Sequence, residues 1–210
     1  LEYGCGASMT EPTGRRVWFL TDPIEDWPRD WEDYRRNYHA TFAAQLLYPN
    51  IADYEIMPWP ERIYEGLYRK SADSEERIRI PKDYSTMMHV MINTLHEMPV
   101  TDQRLNGSHG IGIVMANSLM FQSMPTHDGY EDPQFSNFFG QAMPLLKDGI
   151  PVQIVHLENV HYKKALADIR VLLLSYSNMK PMDPKAHERL ADWVKKGGIL
   201  LYSGRDKDPF

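Results

Sequence analysis

Ile169-Arg-Val-Leu-Leu-Leu-Ser-Tyr176 and Gly198-Ile-Leu-Leu-Tyr-Ser203 decide how this chain folds. Neither stretch alternates apolar with polar residues, so each reads as a strand buried on both faces, which is the condition of a parallel sheet covered by helices. Between them, Pro184 to Lys196 carries apolar residues at helical spacing and ends in Gly197-Gly198, with Lys195 and Lys196 in its last turn, where cations suit the helix dipole. Working back toward the N-terminus, the same alternation predicts strands over Val152 to His156 and Ile111 to Ala116, with a helix over Pro133 to Lys147. Residues 111–210 are thus expected to form a doubly wound α/β domain.

Upstream, Arg15 to Thr21 is a β-branched and aromatic run closed by Asp22-Pro23. Asp30 to Leu47 then places Trp31, Tyr34, Tyr38 and Phe42 on one helical face, with Asp30 as its N-cap and acids in its first turn. Ala52 to Met57 predicts a second strand, ended by Pro58-Trp59-Pro60. The charged stretch from Lys70 to Arg79 reads as a solvated loop. Tyr84 to Met98 reads as a helix whose Met87, Met88, Met91, Ile92 and Leu95 are core packing rather than a cofactor site. Pro99 to Gly110 has no apolar period. The expected organisation is therefore a first domain over 1–100, a linker over 101–110 and a second domain over 111–210.

Composition excludes several function classes. The 210 residues are 42% hydrophobic with a formal net charge of -6, a globular balance that disfavours a nucleic-acid partner. No apolar run approaches the length of a bilayer-spanning helix, so no membrane partner is expected. The single cysteine, Cys5, excludes an internal disulfide and a cysteine-based zinc site and leaves the compartment open, with the cytoplasm favoured. The histidines follow no metal-ligand spacing, and His156 and His161 read as hydrogen-bonded or surface groups. Asp128, Glu131 and Asp132 read as a solvated acidic loop before a helix rather than a calcium site. No metal or cofactor is expected. Ile111-Gly-Ile-Val-Met-Ala-Asn117 leads into a loop without the glycines that let a dinucleotide pyrophosphate approach the backbone, which argues against nucleotide binding. Ser175-Tyr176-Ser177 lacks both a cysteine and the flanking glycines of a nucleophile elbow. Leu1 in place of methionine, and the Arg205 to Phe210 loop after the last strand, read as the ends of a piece of a longer protein.

Ligands of parallel α/β folds sit beyond the carboxyl ends of strands. In the first domain those ends carry Asp22, Glu25 and Asp26, followed by Trp27, and, after the next strand, Trp59 and Glu61. Carboxylates beside indoles suit a sugar site, the acids for proton transfer or nucleophilic attack and the rings for stacking on pyranose faces. The alternative is that Asp22-Pro23 is a turn and Trp27, Trp31 and Trp59 are core.

Three stretches together, Gly149-Ile-Pro-Val-Gln-Ile-Val-His156, Ile169 to Tyr176 and Leu190-Ala-Asp-Trp-Val-Lys-Lys-Gly-Gly-Ile-Leu-Leu-Tyr202, resemble the trimerisation domain of family 42 glycoside hydrolases, the β-galactosidase type. That domain has a class I glutamine-amidotransferase-like fold without the cysteine nucleophile, and in the family it follows a TIM barrel. The resemblance implies that the first domain holds the closing β/α units of such a barrel. Its catalytic nucleophile then falls on Asp22 or Glu25, and its substrate-binding residues are Trp59, Trp27 and Glu61. The family's acid/base glutamate lies on a strand outside this chain, so residues 1–210 alone are expected not to turn over. The implied partners are carbohydrate and further copies of the chain, a trimer in the family. Two other readings stand beside this one: a non-catalytic sugar-binding or assembly module, and a small-molecule-binding domain of the trehalose-utilisation type.

Overall fold

The structure, a computed structural model, describes residues 1–21, 29–57, 59–103, 105, 107–119, 138–176 and 179–204. In chain order the elements are α1 (Glu2–Thr10), β1 (Trp18–Thr21), α2 (Trp31–Gln45), β2 (Asp53–Ile56), α3 (Pro60–Tyr64), β3 (Tyr68–Arg69), β4 (Arg77–Ile78), α4 (Lys82–Glu97), β5 (Ile111–Met115), α5 (Phe138–Lys147), β6 (Gln153–His156), β7 (Val171–Leu174), α6 (Lys185–Lys195) and β8 (Ile199–Tyr202). They divide into two units: Val17–Leu105, and Leu1–Arg16 together with Asn106–Phe210. The chain leaves the inserted unit at Leu105, inside the stretch read as a linker. The first sixteen residues, expected to open the first domain, belong instead to the second unit.

In the inserted unit β1 and β2 pair in parallel, from Trp18 opposite Asp53 to Thr21 opposite Ile56, with α2 as the crossover. α2 begins where the sequence indicates, because the Asp30 carboxylate accepts the Asp33 backbone N–H at 2.9 Å. Its Tyr34 and Tyr38 pack with Met57, Ile63 and the α4 residues Tyr84, Met88 and Met91 in one core, with Trp31 partly buried against it. The methionines are therefore core. The charged stretch from Lys70 is loop up to Glu76, as expected, and departs from that expectation only at Arg77–Ile78, which is a strand. Tyr68–Arg69 pairs antiparallel with Arg77–Ile78, and Lys70 N–H donates to the Glu76 carbonyl at 3.0 Å. Arg69–Glu75 and Lys70–Glu76 ion pairs lie over this hairpin. Lys70, Glu75 and Glu76 face water, while the Arg69 side chain is largely buried.

The other unit is a mixed α/β layer structure built on a four-stranded parallel sheet in the order β6-β5-β7-β8. Its strand residues alternate between two apolar clusters. Val114, Val155, Leu172 and Leu174 join Ala186 and Leu190 of α6. Ile113, Met115 and Ile154 join Phe138 and Ala142 of α5. The sheet is thus covered on both faces, as the apolar runs require. After α6, Gly197 takes a φ of 106°, and Gly197 and Gly198 N–H groups close onto the Val194 and Trp193 carbonyls. That left-handed step ends the helix and turns the chain into β8. Leu1 and Cys5 pack at the edge of the α5-side cluster, and Asn159 Nδ2 donates to the Ser8 and Met9 carbonyls at 3.0 and 2.9 Å, tying down the end of α1. Among the described residues, no helix is long and apolar enough to cross a membrane.

Candidate functional site

The inserted unit gathers polar and aromatic groups at the carboxyl end of its two parallel strands. Thr21 and Ile56 are paired, so β1 and β2 end level with each other. At the end of β1 the Thr21 side chain is buried and accepts a hydrogen bond from Gln45 Nε2 at the close of α2. Gln45 is itself wholly buried, and its Oε1 has no partner among the described residues. A buried acceptor left in that state costs about 1–3 kcal/mol. At the end of β2, Met57 adopts a φ of 54°, the left-handed region, which costs an L-residue with a side chain roughly 1–2 kcal/mol. Strain of this kind persists only where surrounding structure enforces it, and functional sites are a common setting.

Past that turn, Trp59 caps α3 and is 53% exposed, so it is not the core residue of the alternative reading. The Arg62 guanidinium lies 5.1 Å from the centre of its ring, a cation–π contact, and Glu61 stands exposed in the same first turn. Trp59 and Glu61 thus both stand exposed at the start of α3, just past the end of β2. Asp22, Glu25 and Trp27 lie outside the described residues, as do Asp26, Asp128, Glu131, Asp132 and Ser177.

A second cluster, which the sequence reading did not assemble, sits at the carboxyl ends of the four-stranded sheet. His156 ends β6 and is 4% exposed. Its Nε2 lies 2.9 Å from Asn117 Oδ1 and 3.3 Å from Glu158 Oε2, while Asn117 N–H donates to the Glu158 carboxylate at 3.2 Å. With Nε2–H donating to these acceptors, Nδ1 carries the lone pair, and that atom is buried without a partner among the described residues. Burial lowers the imidazole pKa and the Glu158 charge raises it, with burial the larger effect. Tyr176 follows β7, and its hydroxyl is also buried without a partner among the described residues. Burial first, then the Tyr202 and Glu158 charges, push this phenol up to about 12. Ser118 closes the cluster: its Oγ donates to the Lys180 carbonyl and accepts the Lys180 N–H, both at 2.6 Å. Asn117 and His156 lie 39 positions apart in sequence, so no local motif could reveal their contact.

Among the described residues, no group of three His, Cys, Asp or Glu side chains could hold a metal ion. His161 bonds the Glu158 carbonyl through Nδ1 at 2.8 Å, and His89 stacks on Tyr64. No protein-family model matches the chain, and no curated protein is significantly similar to it.

Proposed function

We propose that this protein handles carbohydrate. In this reading the inserted unit corresponds to the closing β/α units of a glycoside-hydrolase-like barrel, and the unit around the four-stranded sheet to an amidotransferase-like assembly domain. The observation that carries it is the exposed Trp59 indole, set beside Glu61 and Arg62 just past a strained Met57 at the carboxyl end of parallel strands. The Arg62 guanidinium lies over one face of the indole; the other face suits the apolar face of a pyranose, and the exposed Glu61 carboxylate, two residues on, suits its hydroxyls. Asp22 or Glu25, which follow β1 in the sequence, supplies the nucleophilic carboxylate, and Trp27 is the second indole. Retaining hydrolysis needs a pair of carboxyl groups about 5–5.5 Å apart. The 210-residue chain is therefore expected to bind sugar and to leave glycosidic bonds intact unless a second carboxylate is supplied.

The test is hydrolysis of an aryl-glycoside panel by the native gene product that carries these residues. Loss of hydrolysis in Asp22→Asn or Glu25→Gln supports the catalytic assignment. Hydrolysis unchanged in both variants removes it and leaves a sugar-binding module.

Self-association has its own support. Among the described residues β8 is the last strand of the sheet order, and its Ile199, Leu201 and Tyr202 are 54%, 51% and 61% exposed, an apolar edge of the sort that recruits a partner. Light scattering is expected to show an oligomer that Leu201→Lys dissociates.

A further inference from the structure

Among the described residues, β8 leaves one edge of the four-stranded sheet unpaired. In its parallel ladder with β7, Ile199 N–H donates to the Arg170 carbonyl and Ser203 N–H to the Leu174 carbonyl, both at 2.9 Å. Ile199, Leu201 and Ser203 therefore turn their backbone groups toward β7, and Leu200 and Tyr202 turn theirs away from it. The N–H and C=O of Leu200 and Tyr202 have no partner among the described residues. The opposite edge of the sheet differs: it is β6, and α1 packs against it.

Sheet edges are ordinarily guarded by charged side chains, proline or a bulge. Ile199 to Gly204 contains no charged residue and no proline, and the register with β7 runs without a bulge. The side chains of β8 divide between the two faces of the sheet. Leu201 is in register with Leu173, which packs on the α5 side, so Leu201 lies on that face, 51% exposed. Leu200 packs against the α6-side cluster, and Tyr202, two residues on and 61% exposed, lies on the same face.

We propose that two copies of this chain pair β8 with β8, antiparallel about a two-fold axis at Leu201, joining their four-stranded sheets into one. This pairing rests on the self-association reading above and is independent of the sugar reading. The partner is a second copy because the edge is complementary to itself. With Leu201 on the axis, Leu200 faces the partner's Tyr202, and Tyr202 faces the partner's Leu200. Residues that point outward on both strands form hydrogen-bonded pairs, each exchanging two N–H···O=C bonds, so every outward group of Leu200 and Tyr202 is used. Between them, Leu201 and the partner's Leu201 form the close pair, with Cα atoms about 4.5 Å apart and side chains in contact on the α5 face. Residues 199–204 carry no charge, so like charges do not oppose each other in this register. The contact uses the same surface on both copies and closes at two. The exposed parts of Ile199, Leu201 and Tyr202 from both copies amount to on the order of 600 Å², about half the area of a standard interface. Main-chain pairing supplies the rest, and the dimer is weak.

The test uses the 210-residue chain. Sedimentation velocity is expected to show a monomer–dimer equilibrium with a Kd on the order of 10–100 μM. The register is read by crosslinking in a Cys5→Ser background, which removes the single native thiol. Leu201→Cys sets two thiols on Cα atoms about 4.5 Å apart, within disulfide reach, so oxidised glutathione is expected to yield a covalent dimer. Ile199→Cys faces the partner's Ser203, which leaves its two thiols roughly 14 Å apart, and it is expected to stay monomeric on a denaturing gel. Both substitutions fall on half-exposed side chains, and equal melting temperatures confirm that the variants fold. A wild-type chain that stays monomeric up to about 1 mM overturns both this pairing and the self-association reading. A trimer overturns the β8 pairing and leaves self-association standing. So does an assembly in which Leu201→Cys fails to crosslink, or in which Ile199→Cys crosslinks as fully.

Discussion

Gly112→Ala probes the packing that positions the second cluster. Gly112 lies in the middle of β5, opposite Gln153 of β6 on one side and Leu172 of β7 on the other. A Cβ built there would lie 2.9 Å from Leu172 Cδ1, 3.1 Å from Ile169 Cγ2 and 3.1 Å from Val155 Cγ2. The leucine methyl can rotate away within its rotamer well. The other two methyls sit on β-branched carbons, whose stiff χ1 leaves them to yield by moving backbone. All three neighbours belong to the same buried cluster, so space is not free on their far sides. Overpacking of this kind costs about 1–3 kcal/mol, against which the lost freedom of the unfolded glycine returns about 0.4–1 kcal/mol. The net is a destabilisation of roughly 1–2 kcal/mol. The unit spans Leu1–Arg16 and Asn106–Phe210, 16 plus 105 or 121 residues. At about 2.1 cal/mol/K per residue its unfolding entropy is roughly 250 cal/mol/K, so the melting temperature should fall by about 4–8 °C. Scanning calorimetry of wild type and variant reads this directly. An unchanged or raised melting temperature would refute the close approach of β5 to its neighbours.

Asp30→Ala removes the α2 cap and should cost about 1 kcal/mol in urea unfolding, while Asp30→Asn should retain most of that; equal losses in both would contradict a capping role. His156 gives a pH prediction. Because burial holds its pKa below the ordinary value, the unfolded chain takes up a proton near pH ~6.5 before the folded chain does. Stability therefore falls as pH drops below about 6.5, down to the lowered folded pKa. His156→Gln should flatten that fall relative to wild type, and parallel urea midpoints across the window would show that the imidazole does not carry it.

Elements whose stability comes from their own pattern were legible in the sequence. The apolar runs at Ile111–Met115, Val171–Leu174 and Ile199–Tyr202 became parallel strands, and Asp30 capped the helix it precedes. α1 carries no such pattern: its residues, Glu-Tyr-Gly-Cys-Gly-Ala-Ser-Met-Thr, include two glycines and no amphipathic stripe, and it is held by packing and by Asn159 from far along the chain. The β3–β4 hairpin was hidden for a related reason. Most of its charged side chains are exposed, and composition alone does not register backbone pairing. Trp59 and Glu61 were legible because they follow a strand in sequence. The Asn117–His156–Glu158–Tyr176 cluster was not, because only the parallel register brings those strand ends side by side.

The most direct test of the account is binding of a galactose- or glucose-containing oligosaccharide series to the 210-residue chain, followed by saturation-transfer NMR on the sugar protons, with Trp59→Ala beside it. The account predicts transfer to the ring protons of at least one sugar in wild type and its loss, or a drop of tenfold or more in affinity by about 1.4 kcal/mol, in Trp59→Ala. Transfer of equal strength in both proteins, or none in wild type, would contradict a sugar site at the carboxyl edge of β1 and β2.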